Sequence, residues 1–288
     1  MANKKRLKEN QEVTKKVVNS QSSYINEQDK KVSNEAIEII NSIVGVLEQL
    51  RARDKEASLK TIETVLGKLE VLIAKDKSKE FVAVDVKEQL IDFEGSIADA
   101  VYAREVASTL LEEGRVQDAR DIMLELASEL DIYITLLPAV AYPAALRAII
   151  PLIEQEKFDE AIALVVEVID TLVLEKVVIP LPVLRAEQAI VVASELTKDK
   201  EDANKDELKE LLAYAKEQLT LAQALGYGEV TKDYKAFLEE IEKIESILGN
   251  DESTKDIFES LKEKLTSFMS GFNKAVGKKD MPKFEDKK

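Results

Sequence analysis

The sequence predicts a mainly α-helical protein, a helical bundle with a few short extended segments. The 288 residues include only 9 Gly and 6 Pro, which favours long helices over the many turns of a β fold. Apolar side chains make up 45% of the chain and can supply a sizeable core. Over much of the chain these side chains recur at the three- and four-residue spacing of a helix face.

The chain divides into four parts by composition and spacing. Residues 1–32 form a polar extension, and the helical spacing begins at Ser33, a predicted N-cap. Short β-branched runs at 81–86, 132–137 and 177–181 predict small extended segments. Glycine commonly follows the end of a helix, so Gly226 predicts one helix terminus. We therefore expect a helical domain over 33–250, a C-terminal amphipathic helix over 251–276 and a charged tail over 277–288.

An internal repeat lies within the helical domain. The segment that starts at Leu110 aligns with the segment that starts at Leu152, at a constant offset of 42 residues. Each copy is predicted to form a helix, a tight turn and a second helix, as in tetratricopeptide-type units. A weaker third copy covers residues 50–66, and the sequence leaves its register open.

The residue inventory excludes most common enzyme chemistries. The chain contains no His and no Cys. It therefore lacks Ser-His-Asp catalysis, thiol nucleophiles, and the His and Cys ligands of zinc sites. The sequence also contains no glycine-rich phosphate loop and no complete calcium-binding loop. We expect a protein that is not an enzyme and that holds no metal and no cofactor.

Charge and hydropathy argue against some classes of partner and against secretion. The net charge is −15 and lies mainly in the middle of the chain, which argues against nucleic acid binding. The first residues lack the apolar run of a secretory signal. The weakly charged run from Ile132 to Ile153 contains three prolines, which disfavour a membrane-spanning helix. We expect a cytoplasmic protein, with membrane binding disfavoured.

Two arginines lie in apolar stretches of the sequence and define a candidate ligand site. Burying a guanidinium requires carboxylate or carbonyl partners. We therefore expect Arg147 and Arg185 either to form structural ion pairs, with Asp131 or Glu175, or to contact an anion or a small ligand. The candidate ligand-binding residues are Tyr133, Tyr142, Arg147 and Arg185.

The predicted C-terminal helix carries an apolar stripe along one face, with lysines on its other faces. Such a helix can dock within its own chain or in a dimer, bind a partner or a non-native protein, or lie on a membrane. The candidate partner-binding residues are Phe258, Leu261, Leu265, Phe268, Met269 and Phe272.

Several short segments of the sequence resemble the YfdX family of bacterial proteins. They are Val84–Val86, Gly114–Arg120, Asp131–Pro138, Tyr142–Ala145, Val178–Ala186, Leu225–Gly228 and Asp233–Lys235. The likeness covers residues 33–250. The resemblance implies a mostly helical, self-associating protein without established enzymatic activity, tied to acid, envelope or drug stress and chaperone-like in behaviour. Enterobacterial members look periplasmic, and we expect this chain to differ from them, because its first residues lack the apolar run of a secretory signal.

Two functional hypotheses follow. The first is a non-enzymatic stress-associated protein that binds its own copies, an unknown partner or non-native chains through apolar helix surfaces. The second is a small-molecule or anion-binding protein with a pocket near the two tyrosines and two arginines named above.

Overall fold

A computed structural model describes residues 28–75, 80–197, 205–228, 231–247 and 255–276. The mainly helical fold is confirmed, and the extended segments form one small antiparallel sheet with the strand order β1-β2-β3. The predicted extension, apart from residues 28–32, and the charged tail lie outside the described residues. The described elements are α1 (Asn34–Arg51), α2 (Lys55–Lys75), β1 (Val82–Ile91), α3 (Ile97–Glu112), α4 (Val116–Glu125), β2 (Glu129–Leu137), α5 (Tyr142–Glu154), α6 (Phe158–Asp170), β3 (Val173–Pro180), α7 (Leu181–Leu196), α8 (Lys205–Leu225), α9 (Thr231–Ile247) and α10 (Lys255–Val276).

The chain forms two compact units. Among the described residues, unit 1 contains 89–131 and the residues from 177 onwards, and unit 2 contains 28–88 and 132–176. The chain passes from one unit to the other within each of the three strands. The predicted helical domain over 33–250 thus contributes to both units.

Unit 2 is built from two helical hairpins, α1–α2 and α5–α6. Ser33 caps α1 as predicted, because its side chain accepts a hydrogen bond from the N–H of Ala36. The first helix of each hairpin packs on the second helix of the other, α1 on α6 and α2 on α5. The apolar stripes of all four helices meet in one core, which includes Ile39, Ile43, Ile62, Val65, Ile149 and Val165.

Unit 1 contains the remaining helices. The helices α7, α8, α9 and α10 share one core, in which α8 packs on α7 and α9, and α10 packs on α7 and α9. The hairpin α3–α4 packs on α8 through α3, and the buried residues of this contact form a separate small cluster of Ala100, Leu126, Leu221 and Ala224. As predicted, Gly226 follows the end of α8 and has a left-handed φ of 87°.

The internal repeat is confirmed in the backbone. Gly114 and Glu156, which align at the offset of 42, both have left-handed backbone, with φ of 76° and 58°. Each donates its N–H to the carbonyl three residues earlier, and the next residue donates to the carbonyl five residues earlier. Arg53, with φ of 57°, forms the same two bonds. The structure therefore fixes the third copy, α1–α2, with Arg53 at the position of Gly114.

A small residue follows each of these turns by five positions. Ser58, Ala119 and Ala161 occupy this position, and each is fully buried. A small side chain lets the two helices of a hairpin approach closely. Three copies of one helix-turn-helix unit therefore make up α1–α2, α3–α4 and α5–α6.

The repeat predicts opposite changes in stability when glycine is removed from one turn and when it is introduced into the equivalent turn of another copy. Left-handed backbone costs a non-glycine residue about 1–2 kcal/mol, while glycine adopts it without that cost. We expect Gly114→Ala to lower the free energy of unfolding by about 1 kcal/mol. Glu156→Gly should raise it by up to about 1 kcal/mol, because its exposed ion pair with Lys55 contributes little. Urea unfolding checks both variants, and changes of the same sign would contradict the assignment.

Candidate functional site

Tyr133 and Tyr142, two of the four predicted ligand residues, make contacts within unit 2. Tyr142 is buried, and its hydroxyl donates a hydrogen bond of 2.8 Å to the carbonyl of Val168 in α6. Burial raises the pKa of the Tyr142 hydroxyl, so the group stays neutral and joins α5 to α6. Tyr133 is half-buried in β2, and the Nζ atom of Lys176 lies 5.7 Å from its ring centroid. These contacts give both side chains a structural role.

Arg147 is not in the apolar surroundings that the sequence predicts for it. The sequence places it among apolar residues, yet its side chain is 55% exposed and pairs with Glu70 at 2.9 Å. The buried residues of α5 include Tyr142, Leu146 and Ile149, which recur at helical spacing. Position 147 falls outside that stripe, so Arg147 lies on the solvent side of α5. The pair with Glu70 is a surface ion pair.

Arg185 is the buried arginine that the sequence predicts. It lies in unit 1, is 1% exposed, and pairs with Asp92, a residue that sequence reasoning did not select. Both Nη atoms reach this carboxylate, with an Nη1–Oδ1 distance of 3.1 Å. Ser128 donates a further bond of 2.9 Å to Oδ1 of Asp92. A paired guanidinium at this depth is a structural group.

Tyr227 extends the same buried polar cluster. Its hydroxyl accepts a bond of 2.7 Å from the N–H of Ser128 and donates one of 2.9 Å to Glu129. Tyr234 in turn donates a bond of 2.6 Å to the carbonyl of Tyr227. Burial is the main cause that raises the pKa of Tyr227, so its hydroxyl remains a donor. These bonds join the turn after α8 to the start of β2.

The C-terminal helix is docked within its own unit. Phe258, Leu261 and Leu265 are fully buried in the core that α10 shares with α7, α8 and α9. The ring of Phe268 meets Tyr234 edge-on, with centroids 5.5 Å apart. These four side chains therefore do not form a free partner-binding stripe, and in-chain docking is the alternative that the structure supports. The side chains of Met269 and Phe272 lie outside the described residues.

Exposed apolar side chains occur instead on the hairpin α3–α4. Leu111, Val116 and Met123 are 46%, 54% and 53% exposed, and we call these three residues the hairpin face. Tyr102 and Leu124 on the same hairpin are also exposed. Of the side chains of α4, only Ala119 is buried.

The repeat shows what covers these positions elsewhere in the chain. The counterparts of Leu111 and Met123 in the other two copies are fully buried, and one counterpart of Val116 is 7% exposed. The buried counterparts are Leu50 and Ile153, Ile62 and Val165, and Phe158. They are buried because α1–α2 and α5–α6 cover one another. Within the described part of unit 1, α3 is the one helix that packs extensively on α4. The hairpin face thus lacks the cover that its counterparts have.

The surroundings of the hairpin face are mainly acidic. Exposed carboxylates flank it at Glu112, Glu113, Asp118, Asp121 and Glu125. Two arginines interrupt them; Arg115 pairs with Asp118 at 2.7 Å, and this carboxylate raises the pKa of the guanidinium. Arg120 lies between the apolar positions and is exposed. An apolar centre with a charged rim is the usual composition of a protein-binding surface.

A cleft opens on the other side of α3, toward α8. Its volume is about 370 Å³, and its lining includes Ile97, Val101, Arg104, Gln223, Tyr227 and Tyr234. The Nη1 atom of Arg104 donates a bond of 3.1 Å to the carbonyl of Gln223. In the described residues no carboxylate pairs with Arg104. At this repeat position the other copies carry Ile43 and Leu146, both buried, so a cation here is specific to α3–α4.

Two further properties concern the whole described region. Among the described residues, no group of acidic side chains is arranged to hold a metal ion. None of the described helices has the length and apolarity that crossing a bilayer requires.

Comparison with known proteins confirms the resemblance found in the sequence. Residues 39–178, which include α3–α4, match the model of the YfdX protein family. Two of the resembling segments, at residues 225–228 and 233–235, lie beyond this match. So do residues 179–186 of the segment that starts at Val178. A solved structure of Salmonella Typhi YfdX aligns with 52% of this chain and 93% of its own, at 12% identity and a TM-score of 0.35. No curated protein matches the chain.

Proposed function

We propose that this protein is a non-enzymatic binding protein that takes up apolar segments of other polypeptides, non-native chains included, through the hairpin face. Its action is chaperone-like, and its association with stress is suggested by the resemblance to the YfdX family. One observation carries the proposal. Leu111 and Met123 are about half exposed, at repeat positions that are fully buried in both other copies, and Val116 is exposed where Phe158 of one other copy is buried.

The energetics favour weak and reversible binding. Burying a large apolar side chain contributes about 1.5–3 kcal/mol, so each half-exposed residue of the hairpin face has about 1 kcal/mol left to gain. Association costs at least about 4 kcal/mol in lost freedom. Contacts with Tyr102 and Leu124 must therefore add to those of the face. The net gain is small, so we expect weak binding with fast release, which suits transient holding of a chain.

The acidic rim adds a preference among clients. Carboxylates around the hairpin face attract segments with Lys or Arg next to apolar residues, and they repel acidic segments. The strong net negative charge of −15 also keeps complexes with apolar chains in solution. We expect basic amphipathic segments to bind better than acidic ones.

Light scattering of a heated client protein tests the proposal. We expect Met123→Asp to abolish most of the protection that the unchanged chain gives at equimolar concentration, because a carboxylate would then lie within the apolar face. Val71→Asp is the matched control, since Val71 is 56% exposed on α2 and lies outside the hairpin α3–α4. Both positions are solvent-exposed, so the melting temperatures should stay close to that of the unchanged chain. Equal protection by the two variants would overturn the assignment to the hairpin face.

A second candidate function is small-molecule binding in the cleft between α3 and α8. Its volume lies within the range of ligand pockets, about 300–1,000 Å³, and Arg104 supplies a cation among apolar and aromatic walls. Aromatic carboxylates are the class that this lining suits.

Thermal shift with a panel of aromatic carboxylates tests the cleft. A bound ligand must raise the melting temperature by mass action, and Arg104→Leu should remove the rise. A rise that persists in this variant would place the ligand elsewhere, and no rise with any member of the panel would count against the candidate.

A further inference from the structure

We infer that Met123 is a reversible oxidation site: hydrogen peroxide converts its thioether to a sulfoxide while the fold is kept, and the polar product lowers the affinity of the hairpin face for clients. The second half of this inference rests on the proposed function, because it concerns the same surface. The first half, oxidation of one exposed side chain, stands on composition and exposure alone.

The composition leaves methionine sulfur as the main target of peroxide. The chain contains no Cys, so the thiolates that peroxide usually attacks are absent. Of the four methionines, Met123 is the one whose side chain lies among the described residues, since Met1, Met281 and the side chain of Met269 fall outside them. Peroxide that reaches the described part of the chain therefore finds its readily oxidised sulfur at position 123.

Position 123 combines a thioether with exposure, and the other copies of the repeat do not. Met123 is 53% exposed. Its counterparts Ile62 and Val165 are fully buried, and both carry saturated hydrocarbon side chains that peroxide does not attack. Hydrogen peroxide is uncharged, so the acidic rim of the hairpin face does not hold it away. The oxidisable side chain thus stands in the copy whose apolar face lacks cover.

The reaction transfers one oxygen atom. A lone pair of the Met123 sulfur attacks one oxygen of hydrogen peroxide, so that a sulfur–oxygen bond forms and the oxygen–oxygen bond breaks. The sulfur loses two electrons and the peroxide gains them. The departing oxygen keeps its own hydrogen, takes the hydrogen of the transferred oxygen and leaves as water. The product is a polar sulfoxide that methionine sulfoxide reductases convert back to the thioether.

Oxidation at this position changes the surface more than the fold. Of the side chains of α4, only Ala119 is buried, so the sulfoxide of Met123 faces water and does not enter the core. A change at an exposed position alters stability little, and the melting temperature should stay within about 2 °C of its starting value. A client, however, would have to bury an S=O dipole where it had met an apolar group. We expect its dissociation constant to rise about five- to tenfold.

Peptide mapping by mass spectrometry of the peroxide-treated full chain tests the first half. Because about half of the side chain is exposed, Met123 should be converted to sulfoxide in the folded chain within about threefold of its rate in the urea-unfolded chain. Methionine sulfoxide reductase should reverse the conversion. Folding that slows the conversion further than this would overturn the inference, since the side chain would then be covered.

Light scattering of heated citrate synthase tests the second half, with peroxide removed before this client is added. At the midpoint of its protection curve, the oxidised chain should lose most of its protection and regain it after reductase treatment. Met123→Leu is the matched control, because leucine keeps the apolar volume and forms no sulfoxide, so it should protect equally before and after peroxide. Met123→Gln should show the weak protection without any oxidant, because its side chain is polar and of similar length.

Two results would overturn the second half. One is full protection by the unchanged chain after Met123 has been oxidised. The other is an equal loss of protection in peroxide-treated Met123→Leu, which would assign the effect to another methionine.

Failure of the proposed function gives a different result. A chain that protects no client before oxidation refutes that function, while peptide mapping still decides whether Met123 is the oxidation site. A chain that protects clients, with Met123 slow to oxidise in the folded state, refutes this inference and leaves the function standing.

Discussion

Replacing Phe258 by Ala is expected to lower the free energy of unfolding by about 3–5 kcal/mol, the range for removing a buried Phe. Phe258 is fully buried, and its helix α10 packs on α7 and α9 in the core of unit 1. Removal of the ring leaves a cavity that neighbouring side chains fill only in part. Equilibrium unfolding in urea measures the change. Leu124→Ala is the control, because Leu124 is exposed and a surface change stays within about 0.5 kcal/mol.

This variant separates the two roles that the sequence allows for the last helix. A helix held free for a partner would lose almost no stability on truncation of Phe258. A loss below about 1 kcal/mol would therefore contradict the docked position of α10, since burial of a large aromatic ring cannot contribute so little.

Arg185→Ala should destabilise the protein by about 3 kcal/mol, the lower end of the range for breaking a buried ion pair. The guanidinium is 1% exposed, while the carboxylate of Asp92 is 33% exposed. Water can therefore solvate part of the charge left on Asp92, which keeps the loss at the lower end. The comparison is Arg147→Ala, which breaks a pair exposed on both sides and should cost no more than about 0.5 kcal/mol.

Urea unfolding of the two arginine variants decides between a structural and a ligand-binding role. Equal, small effects would mean that Arg185 is not held by its partners in the folded state, and the ligand-binding reading would gain support. A large effect at position 185 with a small one at 147 is the result that the contacts predict.

The helical architecture could be read from the sequence because its signals are local. Apolar spacing marked the helices, Ser33 marked an N-cap, and the constant offset of 42 residues marked two copies of the hairpin. The third copy was harder to place, because Arg53 takes the left-handed conformation that Gly114 adopts in the second copy. The hydrogen bonds of the turn, and not the residue type, reveal that equivalence.

The partner of a buried charge could not be read from the sequence. Arg185 and Asp92 are far apart in the chain, and although Asp92 lies between Ile91 and Phe93, no local pattern links it to Arg185. For Arg147 a signal did exist. The stripe of Tyr142, Leu146 and Ile149 passes beside position 147, so helical periodicity alone places that guanidinium on the solvent side.

The exposure of an apolar stripe was also beyond the sequence. Phe258 on α10 and Met123 on α4 both belong to apolar patterns of a helix face, yet the first is buried and the second is about half exposed. Periodicity shows that a face is apolar, and only the packing of other elements decides whether it is covered. The repeat provides the missing information, since the covered copies show what the uncovered copy lacks.

Hydrogen–deuterium exchange on the full chain, with and without an excess of a non-native client, tests the role of the hairpin face most directly. We expect the client to slow amide exchange in α3 and α4, over residues 97–125, and to leave α10 unchanged, because α10 is already part of the core. Protection confined to α10 or to unit 2, with α3–α4 unaffected, would contradict the claim that the protein acts through the hairpin face.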